Sequence, residues 1–276
     1  MKVFYHTDLD GHCAGAVVYK FNGGRGEYIP INYGQESKFN LVKKDENVVI
    51  VDWNFDDDEK FLDLKGITKN IVIIDHHQNS LKLLYNDIKG IRNANKSGCE
   101  LAWDYFYPDV STPRAVKLIG DYDTWKFIYG DETRKFLEGI KCYGNDPSSW
   151  IWNDLLLNPN LTTSSYVNSF IKRIEKKGEI IIQYLDYLYP EIIEQISFKT
   201  KFEGYSCIAC NAIFTGSKIF DSLKEQYDIK IIFNYDGKMF NVSLYSEKVN
   251  VFNIATKFGG GGHKKASGFQ CEKLPF

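Results

Sequence analysis

The stretch KVFYHTDLDGHCAGAVV, residues 2–18, decides how the chain begins to fold. A short apolar run from Val3 to Tyr5 stops at His6, Asp8 and Asp10 follow at alternate positions, and small apolar residues resume after His12. A brief strand followed by a small-residue helix is the opening of a β–α unit. Carboxylates and an imidazole crowded at the end of the strand read either as turn residues or as the ligands of a cation between them.

The same ending recurs further along. NVVIVD (residues 47–52) stops at Asp52, and NIVIIDHH (residues 70–77) stops at Asp75, His76 and His77. Both are nearly continuous β-branched runs of the kind that parallel sheets bury on both faces. With YIPIN between, and with GHCAGAVVYKF and DDDEKFLDLK as intervening helices, the pattern predicts an open α/β sheet. Ligands bind outside the carboxyl ends of parallel strands, so the three acidic endings are expected to share one crevice. Taken singly, Asp52 reads as a helix N-cap and the two histidines as one packed and one exposed residue. Taken together on successive strands, they read as a cation site.

That donor set is carboxylate and imidazole without thiolate, which suits Mn²⁺ or Mg²⁺, with Co²⁺ or Zn²⁺ as substitutes. There are more carboxylates than one ion needs, which points to two ions. A fourth segment, VKLIGDYDTWKF (residues 116–127), offers Asp121 and Asp123, either of which could complete the set.

These motifs resemble the four metal motifs of the DHH phosphoesterase superfamily, which includes RecJ-type exonucleases, nanoRNases, cyclic-dinucleotide phosphodiesterases and family II pyrophosphatases. The resemblance implies His6, Asp8 and Asp52 on one Mn²⁺, and Asp10, Asp52, His76 and Asp121 on the other, with Asp52 bridging. It implies His77 at the scissile phosphate and Asp75 as an orienting partner. The single residue between His6 and Asp8 is closer to the RecJ pattern than to the three-residue spacing of nanoRNases. Asp121 matches the first acid of the related DxDxW pattern, with Asp123 as its support.

Near the other end, KFGGGGHKKASGF (residues 257–269) places four glycines before His263, Lys264 and Lys265. Such a run is poor helix or strand and can expose successive N–H groups to an anion. It resembles the GGGH motif of the DHH-associated C-terminal domain, which implies Gly260, Gly261, Gly262, His263 and Lys264 as substrate-binding residues. Tyr245 stands where several relatives carry Arg; it can stack on a base but cannot clamp a phosphate bidentately.

Between these regions the pattern turns helical from about Ser97 to Leu157. A long amphipathic stretch over residues 166–196 follows, interrupted or ended near Pro190. Strand-like pieces come after it, two of them joined by the hairpin signal Asp236-Gly237. The expected architecture is a parallel-sheet DHH domain over residues 1–185, a helical connector over 186–196 and a smaller α/β DHH-associated domain over 197–276. The active site is expected in the cleft between the two.

The chain has 276 residues, 43% hydrophobic and 15% aromatic, enough for two cores. Its net charge of −2 disfavours sequence-blind binding to long nucleic acid. Six scattered cysteines read as reduced thiols, with Cys207 and Cys210 as core residues, and the cytoplasm as the expected location. No membrane span is expected.

The function these features imply is a Mn²⁺-dependent, two-metal phosphodiesterase. It would cut short single-stranded oligonucleotides to nucleoside monophosphates, with an oligonucleotide or dinucleotide as partner and a homodimer as one open assembly. Cyclic or linear dinucleotides and phosphoadenosine phosphate are alternative substrates. A non-catalytic nucleotide sensor on the same fold is the alternative from another class.

Overall fold

The structure, a computed structural model, describes residues 1–33, 38–55, 58–77, 87–157, 164–213 and 215–276. The chain divides into two compact units, Met1–Ile182 and Gln183–Phe276.

The first unit is built on a sheet of parallel strands, β1 (Lys2–His6), β2 (Glu27–Ile31), β3 (Val48–Val51) and β4 (Ile71–Ile74), in the order β2-β1-β3-β4. Beyond β4 the backbone at Lys89 and Arg92 adds parallel bridges to Val72 and Asp75. The two-residue alternation of a strand decides what each face carries. Val3, Tyr5, Val49, Val51 and Ile74 pack in one core, while Phe4, Val48, Ile50, Ile71 and Ile73 pack in the other. The first core takes residues of α1 (Leu9–Phe21), α3 (Gly98–Phe106), α4 (Arg114–Asp123), α5 (Asp131–Ile140) and α6 (Ile151–Leu155). The second takes Phe61 and Leu64 of α2 (Asp58–Ile67). With both faces covered, the near-continuous apolar runs of β3 and β4 have their reason, each buried Ile or Val contributing about 1.5–3 kcal/mol.

The strand order places a topological switch point at β1 and β3: the chain leaves β1 to one side for β2 and returns on the other for β3 and β4. In open α/β sheets that is where ligands bind.

The helix α7 (Ser164–Ile196) runs unbroken through Pro190, where an interruption was expected. Proline costs a helix one hydrogen bond, which apolar packing on both sides of it can offset; Tyr189 and Ile193 are both buried. Among the described residues no helix is long and apolar enough to cross a membrane.

The second unit carries a sheet of β5 (Ser197–Phe202), β6 (Tyr205–Asn211), β7 (Ile229–Tyr235), β8 (Phe240–Tyr245), β9 (Gly261–Gly262) and β10 (Ala266–Cys271). Their order is β5-β6-β7-β8-β10-β9; β6 and β7 pair in parallel and the other neighbours are antiparallel. The Asp236-Gly237 turn joins β7 to β8, with Gly237 at φ 99° and the Asp236 carboxylate accepting from the N–H groups of Lys238 and Met239. Cys207 and Cys210 belong to different cores, so they are packing residues and not a chelating pair. The short helix α8 (Val251–Ala255) covers one of these cores.

Candidate metal centre

The N-terminus of α1 begins two residues before the expected start, because the Asp8 carboxylate accepts from Gly11 N–H at 2.8 Å and caps it. Asp10 is thereby placed in the first helical turn, buried, and is held by a second helix: its oxygens accept from the N–H groups of Gly98 (2.6 Å) and Cys99 (3.0 Å) at the start of α3. The Ser97–Glu100 capping box fixes that helix end. Gly98 also permits a close approach, since a Cβ there would lie 2.5 Å from Cβ of Asp52.

Asp52 follows β3 with a left-handed backbone, φ 56°, and is fully buried. A non-glycine residue in that region is strained, and such strain gathers at functional sites. Among the described residues, neither carboxylate oxygen has a hydrogen-bond partner. Instead Oδ2 lies 3.7 Å from His6 Nδ1, and Oδ1 lies 3.2 Å from His76 Nε2. Burial, and then the charges of Asp10 and Asp8, push the Asp52 carboxyl well above the usual carboxylate range.

Several donor groups result, among them Asp52 with Asp75 and His77, and two take in the acids that end the strands and α4. His6, Asp8 and Asp52 form one, and Asp10, His76 and Asp123 the other, each with ligand atoms within 4.8 Å of one another. Asp52 stands between them. In the first group His6 Nδ1 is 2.9 Å from Asp8 Oδ2. Burial lowers the His6 pKa, but the Asp8 and Asp52 carboxylates outweigh it and raise it to about 11. In the second, His76 Nε2 lies 3.3 Å from Asp123 Oδ2 and 3.9 Å from Asp10 Oδ2. Asp123 is pushed up as Asp52 is, by burial first and Asp10 second.

Sequence reasoning preferred Asp121 for this position; the structure places Asp123 there instead. The Asp121 carboxylate is spent inside the protein, accepting from Ile128 N–H (2.8 Å), Tyr129 N–H (3.3 Å) and the Thr133 hydroxyl. Asp123, two residues on, faces the donors, and its Oδ2 has no hydrogen-bond partner among the described residues.

Nothing in the sequence pointed to Asn32. Its Oδ1 accepts from Tyr33 N–H at 2.9 Å and lies 3.1 Å from His6 Nε2. Because that oxygen is an acceptor, Nε2 carries a proton, so Nδ1, which faces the two carboxylates, is the nitrogen whose proton a bound cation would displace. His77 sits beside the centre, its Nδ1 2.7 Å from Asp75 Oδ1. Burial lowers the His77 pKa, but the Asp75 carboxylate outweighs it and raises it.

The donor set fits divalent cations. Buried carboxylate oxygens that lack hydrogen bonds among the described residues are stable as charged groups only with a positive charge among them.

In the second unit the glycine run is more ordered than expected. Gly261 and Gly262 form β9, paired to β10 through Gly268 and Ser267. The N–H groups of Gly260 and His263 donate to the carbonyls of Ala255 and Ala266, so neither is open to an anion. A Cβ at Gly260 would fall 2.0 Å from the Gly268 carbonyl oxygen, so this glycine serves backbone-to-backbone packing. Lys264 is exposed, whereas Lys265 is paired with Glu247. Tyr245 is half-buried on β8 and packs against the core of Cys210 and Ile232.

Residues 2–121 match the DHH family, N-terminal domain, and residues 216–275 match the DHHA1 domain. An uncharacterized protein, R106, of Acanthamoeba polyphaga mimivirus is 24% identical over 82% of this chain; the match spans 53% of the viral protein, about half its length. The bifunctional oligoribonuclease and PAP phosphatase NrnA of Mycoplasma genitalium is 23% identical, with 96% of this chain and 86% of that protein covered. Among solved structures, the pGpG-specific phosphodiesterase PggH of Vibrio cholerae superposes with a TM-score of 0.52 at 14% identity, covering 98% of this chain and 93% of that one. RecJ of Thermus thermophilus, solved with Mn²⁺, gives 0.52 at 11% identity, covering 98% of this chain and 49% of that one.

Proposed function

The chain is a DHH/DHHA1-type protein, and from that premise we propose that it is a Mn²⁺-dependent phosphodiesterase of short oligonucleotides, releasing nucleoside monophosphates. The observation that carries the reading is the Asp52 carboxylate, buried, without hydrogen bonds among the described residues, and set between two histidine–aspartate groups. His6, Asp8 and Asp52 would hold one divalent ion, and Asp10, Asp52, His76 and Asp123 would hold the other. Bound there, such ions polarise a phosphoryl oxygen and activate water.

The remaining roles belong to the chain's own groups. Asn32 accepts from Nε2 of His6 and fixes the ring, so that Nδ1 is the nitrogen that would give up its proton to a bound ion. The α3 N-terminus holds Asp10 in place without using up its charge. Asp75 accepts from Nδ1 of His77 and sets the ring, which would stand at the scissile phosphate. In the DHHA1 domain, His263 and Lys264 supply donors and charge for the nucleotide. Two names among the relatives, an oligoribonuclease and a dinucleotide phosphodiesterase, support a short nucleic-acid substrate.

The test is a substrate panel with Mn²⁺: RNA and DNA of two to about twenty nucleotides, cyclic dinucleotides, phosphoadenosine phosphate and pyrophosphate. The expected result is preferential release of monophosphates from the shortest oligonucleotides, lost in Asp52→Ala. No Mn²⁺-dependent hydrolysis of any diester would sink the reading and favour a nucleotide sensor.

A further inference from the structure

We propose that a cavity beside Asp123, wholly within the first unit, is a nucleoside subsite that takes the base and sugar on one side of the scissile phosphate. The proposal rests on the phosphodiesterase reading and names where that substrate's specificity lies.

The cavity encloses about 310 Å³. Small-molecule sites run from roughly 300 to 1,000 Å³, so it has room for one nucleoside and not for a run of bases. One end is formed by Asp8, Asp10 and Asp123, drawn from both donor groups of the metal centre, so a group bound in the cavity adjoins the reacting phosphate. Buried Leu137 and Ile140 give it an apolar wall. Tyr122 and Asn145 add an aromatic ring and an amide, the mixture that recognises a flat, partly polar base.

Charge excludes the obvious alternative, a second phosphate. Among the described lining residues the single cation, Lys141, is paired with Glu138 at 2.7 Å, and the other charged groups are acidic. With Asp8, Asp10 and Asp123 committed to the metals and Lys141 to Glu138, the lining offers a second phosphate no uncommitted cation.

Tyr122 is held where it stands by an unusual backbone. Its ring meets that of Phe127 at 5.9 Å, edge to face, and Phe127 meets Trp125 in the same way. Trp125 and Phe127 both have left-handed backbones, φ 56° and 50°, a region that bulky side chains rarely adopt. Asp121 keeps them there: its carbonyl accepts from Lys126 and Phe127, and its carboxylate accepts from Ile128 and Tyr129. Asp121 is therefore a positioning residue for the cavity's aromatic wall, which explains a buried acid so near the metal centre that does not face it.

Calorimetry on the full chain with Mn²⁺ tests this, using AMP and ribose 5-phosphate as probes. The expected result is that AMP binds at least about tenfold tighter. Tyr122→Ala and Asn145→Trp, confirmed folded by an unchanged melting temperature, should remove most of that preference while ribose 5-phosphate binding stays as it was. Tyr122→Phe, which keeps the ring, should preserve it. A preference for AMP that survives both disruptive variants, or none in the unmodified chain, overturns the subsite even if diesters are cleaved. Conversely, a Tyr122-dependent AMP preference without diester hydrolysis would keep the subsite and overturn the phosphodiesterase reading.

Discussion

His6 Nε2 lies 3.1 Å from Oδ1 of Asn32, an oxygen that also accepts the Tyr33 N–H, so the far side of the histidine ring is committed to donating. The near side is thereby kept for a cation. Supporting residues of this kind typically account for about 10–100-fold in metal affinity. Asn32→Ala should therefore weaken Mn²⁺ binding by roughly tenfold, read by calorimetric titration. Unchanged affinity would mean that the ring is set by something else.

Asp52 is predicted to oppose folding without metal and to be indispensable with it. Its oxygens are buried and lack hydrogen bonds among the described residues, so the metal-free protein holds a carboxyl whose ionisation is opposed by burial and by the charges of Asp10 and Asp8. Asp52→Asn should raise the metal-free melting temperature by a few degrees, a change of about 1 kcal/mol moving a chain of this size by roughly 2–4 °C. The same variant should abolish the stabilisation that Mn²⁺ gives the native chain and lower activity by more than about a hundredfold. A thermal-shift series with and without Mn²⁺ reads both effects; persistence of the Mn²⁺ shift in Asp52→Asn would refute the shared-ligand role.

Asp121 and Asp123 should separate cleanly in mutants. Asp121→Ala removes the acceptor of the Ile128 and Tyr129 N–H groups and of the buried Thr133 hydroxyl and should cost about 3 kcal/mol of stability. Asp123→Ala removes a carboxylate whose Oδ2 has no hydrogen bond among the described residues, so it should leave the metal-free chain as stable or more so while impairing Mn²⁺-dependent turnover. Denaturant melts beside activity assays decide the matter; the opposite pattern would restore Asp121 as the ligand.

His263→Ala is predicted to act on substrate and not on metal. On an oligonucleotide of two or three residues KM should rise several-fold, with Mn²⁺ affinity unchanged. If activity on short substrates were unaltered, the glycine-rich segment would have no part in gripping the nucleotide.

How much of this was legible in the sequence depends on where each residue sits. His6, Asp8, Asp10, Asp52 and His76 were readable because buried strands end abruptly and parallel strands end on one side. Asp121 and Asp123 were not separable, since at 3.6 residues per turn they point about 200° apart and spacing does not say which face is inward. Asn32 follows β2, and its nearness to His6 depends on the pairing of His6 with Ile31, which no local pattern encodes. The glycine run was read as open loop because glycine lacks strand propensity, but Gly260 is needed for close backbone contact beside β10.

The helix α7 sets a practical boundary that family matching does not reveal. Its early residues Phe170, Ile171 and Ile174 fill the first unit's core, while Tyr189 and Ile193 fill a core with Ile208, Cys210 and Ile232 in the second. The DHHA1 match starts at residue 216, leaving out that helical half and both β5 and β6. A fragment cut at 216 would lose one side of its own sheet and expose the apolar residues beneath. For expression of the C-terminal part alone, the first residue to keep lies near Gln183, well upstream of where the DHHA1 match begins.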